Sequence, residues 1–159
     1  MRKPFVVALC VLGFGSVVVA QSKIDTKWHC EKPSGLYKFD VGDVPDHSYL
    51  ILQGTCNATA SDSNFAEKTG AYTEFQEVWK ASMTFHGRFN VTMDNADKVF
   101  YTYEGSGSTA NNNLPPNKWK IASGTGKYKG IKGMGNCSGK QNTDQSSDWT
   151  CTGTYSMGK

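Results

Sequence analysis

Five glycines fall within residues 123–135, Ser-Gly-Thr-Gly-Lys-Tyr-Lys-Gly-Ile-Lys-Gly-Met-Gly, alternating with β-formers and lysines. The stretch reads as a strand, a tight turn and a second strand, in a sheet whose strands bend sharply or approach one another closely. The spacing gives neither Gly-x-Gly-x-x-Gly nor a Gly-Lys-Ser/Thr ending, so it is not a phosphate cradle.

The start of the chain sets the compartment. Residues 1–20 carry Arg2 and Lys3, then an apolar run, and end Val18-Val19-Ala20 before Gln21. That order is the signature of a secretory signal peptide, too short for a comfortable membrane span. We expect residues 21–159 to form one domain, secreted or periplasmic, with no stable membrane span once the leader is cleaved. Without Arg2 and Lys3, 15 basic residues face 14 acidic ones, a net charge of +1 and no signature of nucleic-acid binding.

Cys10 lies in the leader, which leaves Cys30, Cys56, Cys137 and Cys151. An even number of cysteines behind a signal peptide implies two bridges. Turn symmetry selects the pairing. The turn residues 42–46 (Gly-Asp-Val-Pro-Asp) contain residue 43, the midpoint between Cys30 and Cys56, and the polar residues 141–147 are centred midway between Cys137 and Cys151. Hairpins folded there set each pair face to face, within a disulfide's reach. The first register also opposes Tyr37 to Tyr49 and Leu36 to Leu50. The second opposes Gly139 to Trp149, Gly135 to Gly153 and Gly133 to Tyr155.

Further along, the odd positions Ala71, Phe75, Trp79, Ala81, Met83 and Phe85 are small or apolar between polar neighbours, which is strand periodicity. Glu77 interrupts the apolar face and Val78 the polar one. Gly87 is expected to turn the chain, followed by strands at residues 89–93 and 98–104. Residues 61–70 and 105–118 read as loops. With no amphipathic helix and many short strands, the expectation is an all-β fold, a closed antiparallel β-barrel of about eight strands braced by two disulfides.

Residues 124–133 (Gly-Thr-Gly-Lys-Tyr-Lys-Gly-Ile-Lys-Gly) resemble the glycine-rich hairpin of the allene oxide cyclase and dirigent barrel superfamily, most closely that of small secreted bacterial proteins of unknown function. Tyr101 to Gly107, then a loop and the Trp119 strand, fits the same pattern, and the similarity covers roughly residues 71–157. The resemblance implies an eight-stranded barrel with a small-molecule pocket at one mouth. It places no functional residue of that superfamily on this chain, and the four-cysteine framework is not part of its pattern.

No catalytic motif is evident, and the chemistry rests on single residues. Glu77, on an otherwise apolar face, would be a desolvated acid or base if it pointed inward, whereas a local bulge would return it to solvent. Glu104, beside Tyr101 and Tyr103, is the second weak candidate. Phe75, Trp79, Phe85, Phe89, Tyr101, Tyr103 and Trp119 are the candidate pocket residues for a small apolar or aromatic ligand; the bland alternative is that they are core. His29, His47 and His86 lack metal-binding spacing, so neither metal nor cofactor is expected. Lys118, Lys120, Lys127, Lys129 and Lys132 form a basic patch, read either as a solvated face or as a site for an anionic partner. The reading favours a secreted ligand-binding barrel. The alternatives are a cyclase or isomerase with a pocket carboxylate, and an envelope or surface interaction protein.

Overall fold

The structure is a computed structural model describing residues 21–108 and 113–158; the expected leader, with Cys10, lies outside them. The strands are β1 (Ser22–Cys30), β2 (Gly35–Asp40), β3 (His47–Ala60), β4 (Glu67–Trp79), β5 (Ser82–Met93), β6 (Lys98–Ser108), β7 (Asn113–Gly124), β8 (Lys132–Gln141) and β9 (Ser147–Ser156). All neighbours are antiparallel, in the order β1-β9-β8-β7-β6-β5-β4-β3-β2, and β1 also pairs with β3. Eight strands thus close a barrel, and β2 is left outside the closure with only β3 beside it.

Both expected disulfides are present, with Cα–Cα distances of 3.9 Å for Cys30–Cys56 and 4.1 Å for Cys137–Cys151. The β8–β9 register matches the expectation throughout, including Gly139 against Trp149 and Gly135 against Gly153. The first hairpin departs from it. Cys30 faces Cys56 from β1, but the chain then breaks over residues 31–34 and rejoins β3 as β2, so Tyr37 faces Ile51 and Leu36 faces Leu52. Pro33 lies in this break and has no N–H to give to a ladder.

The largest correction concerns residues 71–87. The chain turns at Lys80-Ala81, where Lys80 takes φ 50°, and Gly87 lies within β5 opposite Tyr103. A two-residue hairpin turn reverses which parity of residue number faces inward. Phe85 and Met83 therefore face the interior, whereas Phe75 and Trp79, on β4, face outward and are 46% and 44% exposed. Two expected loops are also shorter. Glu67 to Gly70 belongs to β4, and residues 105–108 and 113–118 extend β6 and β7, leaving residues 109–112 outside the described part.

One end of the barrel is sealed from within. Residues 61–66 cross it with Phe65 fully buried against the rings of Tyr128 and Tyr155, at centroid distances of 5.5 and 4.6 Å. The Ser61 hydroxyl donates to the Phe65 carbonyl and accepts from the Glu67 N–H, which fixes the crossing. Above this floor the interior is apolar apart from the buried Glu67 and Thr26, from Val91, Met93 and Val99 up to Trp28, which meets Phe89 edge to face at 4.9 Å.

Candidate functional site

The other end of the barrel is open, and a cavity of about 200 Å³ descends from it. Its walls include Trp28, Phe85, Phe89, Tyr101, Tyr103 and Trp119, together with Glu67, Tyr72, Glu74 and both disulfides. Five of the seven pocket aromatics read from the sequence thus meet in one cup. Phe75 and Trp79 lie on its outer wall, for the parity reason already given.

Neither expected carboxylate enters the cup. Glu104 is exposed on the outer face of β6, opposite His86 and Lys118. Glu77 is on the outer face of β4, where its Oε1 accepts hydrogen bonds from the Tyr49 hydroxyl at 3.0 Å and the Trp79 Nε1 at 3.2 Å, and meets His47 Nε2 at 3.0 Å. Instead, Glu67 and Glu74 face inward. Sequence reasoning missed both, Glu67 because it sits in a polar stretch and Glu74 because it occupies the even, polar-looking face of β4. The usable signal was Gly87, a glycine in the middle of an alternating strand.

Gly87 explains how the inner layer is assembled. Register places Glu74, Gly87, Tyr103, Trp119, Gly135 and Gly153 side by side around the wall. The Tyr103 ring lies over Gly87, where an added Cβ would sit 2.4 Å from its Cζ, and so its hydroxyl spans β5 and hydrogen-bonds Glu74. Gln76 Nε2 donates to Glu74 Oε1 at 2.6 Å. On the neighbouring strand the Trp119 indole lies the other way, over Gly135 and Gly153, each of which would place a Cβ 2.3 Å from its Cζ2. We expect Gly87→Ala to displace Tyr103 and cost about 1–3 kcal/mol, the usual range for overpacking, read as a lowered urea midpoint at constant slope.

Burial raises the pKa of Glu74, and the hydrogen bonds from Gln76 and Tyr103 offset only part of that. Burial also raises Tyr103 far above its ordinary value and pushes Tyr72 up to about 12, so both phenols keep their protons. Two further polar atoms of the wall lack partners. Among the described residues, the buried Asn117 Oδ1 and Trp119 Nε1 have no hydrogen-bond partner, and both side chains line the cup. A buried polar atom without a partner costs about 1–3 kcal/mol. The cup is therefore lined by apolar rings and a carboxyl held toward its neutral form, with one unpartnered donor and one unpartnered acceptor packed into its wall.

Outside the barrel, His47 forms a separate cluster. Its Nδ1 meets Asp43 at 2.7 Å and its Nε2 meets Glu77 at 3.0 Å, while its ring stacks on Trp79 at 3.9 Å. Burial pulls the imidazole pKa down, but the bonds to Asp43 and Glu77 outweigh it and the net direction is up from 6.5. The two carboxylates are correspondingly held below their ordinary 3.8 and 4.5, Asp43 by the hydrogen bond with His47 and Glu77 by those with Trp79, His47 and Tyr49. A raised basic group contributes stability that is complete below its unfolded pKa and is lost as pH rises through the folded one. We expect urea stability to fall as pH rises above 6.5, and less steeply in His47→Gln. His29, raised by Asp148 in the same direction, is common to both proteins.

Fold and site together define a closed β-barrel with an apolar cup, sealed at one end. No family model matches the chain, and no curated protein matches it in sequence. Among solved structures it is similar to the pterocarpan synthase dirigent protein GePTS1, with a TM-score of 0.56 and 10% identity over 96% of each chain. It is also similar to the pterocarpan synthase dirigent protein PsPTS1, with a TM-score of 0.52 and 11% identity over 88% of this chain and 97% of that one. At these identities the likeness is one of fold, and it agrees with the dirigent-type barrel expected from the glycine hairpin. Among the described residues no helix is long and apolar enough to cross a membrane.

Proposed function

We propose that the barrel is a secreted or periplasmic binding module that holds one small, mainly apolar, ring-bearing molecule in its cup. The observation that carries this reading is the cup itself, a cavity of about 200 Å³ in whose wall the rings of Trp28, Phe85, Phe89, Tyr101, Tyr103 and Trp119 meet. An apolar cavity of about 150 Å³ accommodates benzene, so 200 Å³ suits a molecule of one or two rings. The leader-like residues 1–20 and the two disulfides support the location. The guest is not an anion, because an anion would lose its hydration beside Glu74.

Titration with 2-naphthol and 2-naphthoate, followed by tryptophan fluorescence, tests this. The neutral compound should bind at least about tenfold tighter, a difference near 1.4 kcal/mol. Equal affinity, or none for either compound, would refute the reading. Cyclase or isomerase chemistry is the second reading, favoured by one feature, the buried Glu74 bonded to Tyr103. It requires that a bound compound leave the barrel with altered structure, and that Glu74→Gln stop the change while binding persists.

A further inference from the structure

We propose that two copies of this chain associate through β2, edge to edge and antiparallel, about a two-fold axis at Phe39. Among the described strands, β2 alone has a single neighbour, since β1 closes the barrel on both β9 and β3. The Val41 N–H donates to the His47 carbonyl, so residues of odd number in β2 face the β3 ladder. The N–H and C=O groups of Leu36, Lys38 and Asp40 therefore point away from the barrel, at a free edge.

Soluble proteins guard such edges with charge, proline or a covering segment. Here the edge carries large apolar side chains on both faces, with Leu36, Tyr37 and Phe39 exposed by 57%, 61% and 58%. A second copy of the same strand is the occupant that its charges select. Only outward-facing residues form hydrogen-bonded pairs across the new edge, which leaves few registers. Centring the axis on Lys38 sets like charges face to face and Leu36 against Asp40. Centring it on Tyr37 pairs Lys38 with Leu36. Centring it on Phe39 pairs Lys38 with the partner's Asp40, twice.

In that third register the charges complement each other. Lys38 and Asp40 already meet at 3.0 Å within one chain, so four alternating charges would line one face. The other face would align Tyr49 and Phe39 with the partner's Phe39 and Tyr49, because Phe39 opposes Tyr49 in β3. The contact is isologous and uses the one free edge of each copy, so association stops at two.

Sedimentation of the oxidised chain tests the proposal. A dimer is expected; Lys38→Glu or Asp40→Lys should weaken it at least about tenfold, and the double exchange should restore it, since cross-strand charge pairs act in this range. Phe39→Cys should give a covalent dimer under oxidation, because opposed residues in a non-hydrogen-bonded pair lie about 4.5 Å apart, within disulfide reach. Circular dichroism of each variant shows whether the barrel is folded. A wild-type chain that stays monomeric at high micromolar concentration overturns the proposal. So does a dimer indifferent to Lys38→Glu in a folded variant.

Discussion

Glu67→Ala is expected to destabilise the barrel by roughly 4 kcal/mol, the cost of leaving two buried hydroxyls unpartnered at about 1–3 kcal/mol each. Glu67 is 6% exposed; Thr26 Oγ1 meets its Oε2 at 2.5 Å, and Tyr101 Oη donates to its Oε1 at 2.6 Å. These bonds tie β1, β4 and β6 together just above the floor. Thermal and urea melts check the magnitude, and a loss below about 1 kcal/mol would show that water replaces the carboxyl.

Glu67→Gln separates shape from charge. Its carbonyl would accept from Tyr101 and its amide donate to Thr26, so both hydroxyls keep partners. Burial raises the Glu67 pKa from 4.5, only partly offset by the hydrogen bonds from Thr26 and Tyr101. For an acid raised on folding, the folded state binds the proton more tightly, so stability is greatest at low pH and falls as pH rises above the unfolded value. Glu67→Gln should therefore resemble the wild type below pH 4.5 and exceed it at neutral pH. A wild type as stable as Glu67→Gln at neutral pH would mean that folding does not raise the Glu67 pKa.

What the sequence made legible follows from the symmetry of hairpins. Residues pair about the centre of a turn, so Cys137 and Cys151 could be matched from their midpoint alone, together with the glycines that face Trp149 and Tyr155. That inference needs a recognisable turn. Lys80-Ala81 carries no Asn-Gly or Asp-Gly signal, and Lys80 takes its positive φ without one. One unmarked two-residue turn was enough to invert the faces of β4, sending Phe75 and Trp79 outward and Glu74 inward. Gly87 resembled a turn for the opposite reason: it is in mid-strand because Tyr103 needs its space.

The site was harder to read than the fold because its polar groups sit where periodicity assigns solvent. Glu74 and Gln76 form part of the inner wall near the mouth, so the inside of β4 is polar there and its outside aromatic. The inside-apolar rule fails there because Glu74 and Gln76 bond each other within the wall of the cup. The free Asn117 Oδ1 was hidden differently, in a stretch whose asparagines and prolines resemble a connection but which β6 and β8 recruit as a strand.

Phe65→Ala is the complementary experiment, because it attacks the seal rather than the wall. Phe65 is fully buried between Tyr128 and Tyr155, on a crossing segment whose polar composition resembles a plain loop. Removing a buried phenyl costs about 3–5 kcal/mol, partly as lost transfer and partly as the cavity left behind. The ring is held by the backbone of residues 61–66 through the Ser61 hydroxyl, so the floor should keep its shape and the void should persist. A persistent apolar void of this kind takes up a small aromatic solute. Benzene should therefore raise the melting temperature of Phe65→Ala by more than it raises that of the wild type, whose cup it can also enter. A variant that melts with the wild type, or one that benzene fails to rescue, would mean that residues 61–66 collapse into the gap. In that case the end of the barrel below Glu67 and Tyr101 would be closed by the backbone of residues 61–66 instead of by the Phe65 ring.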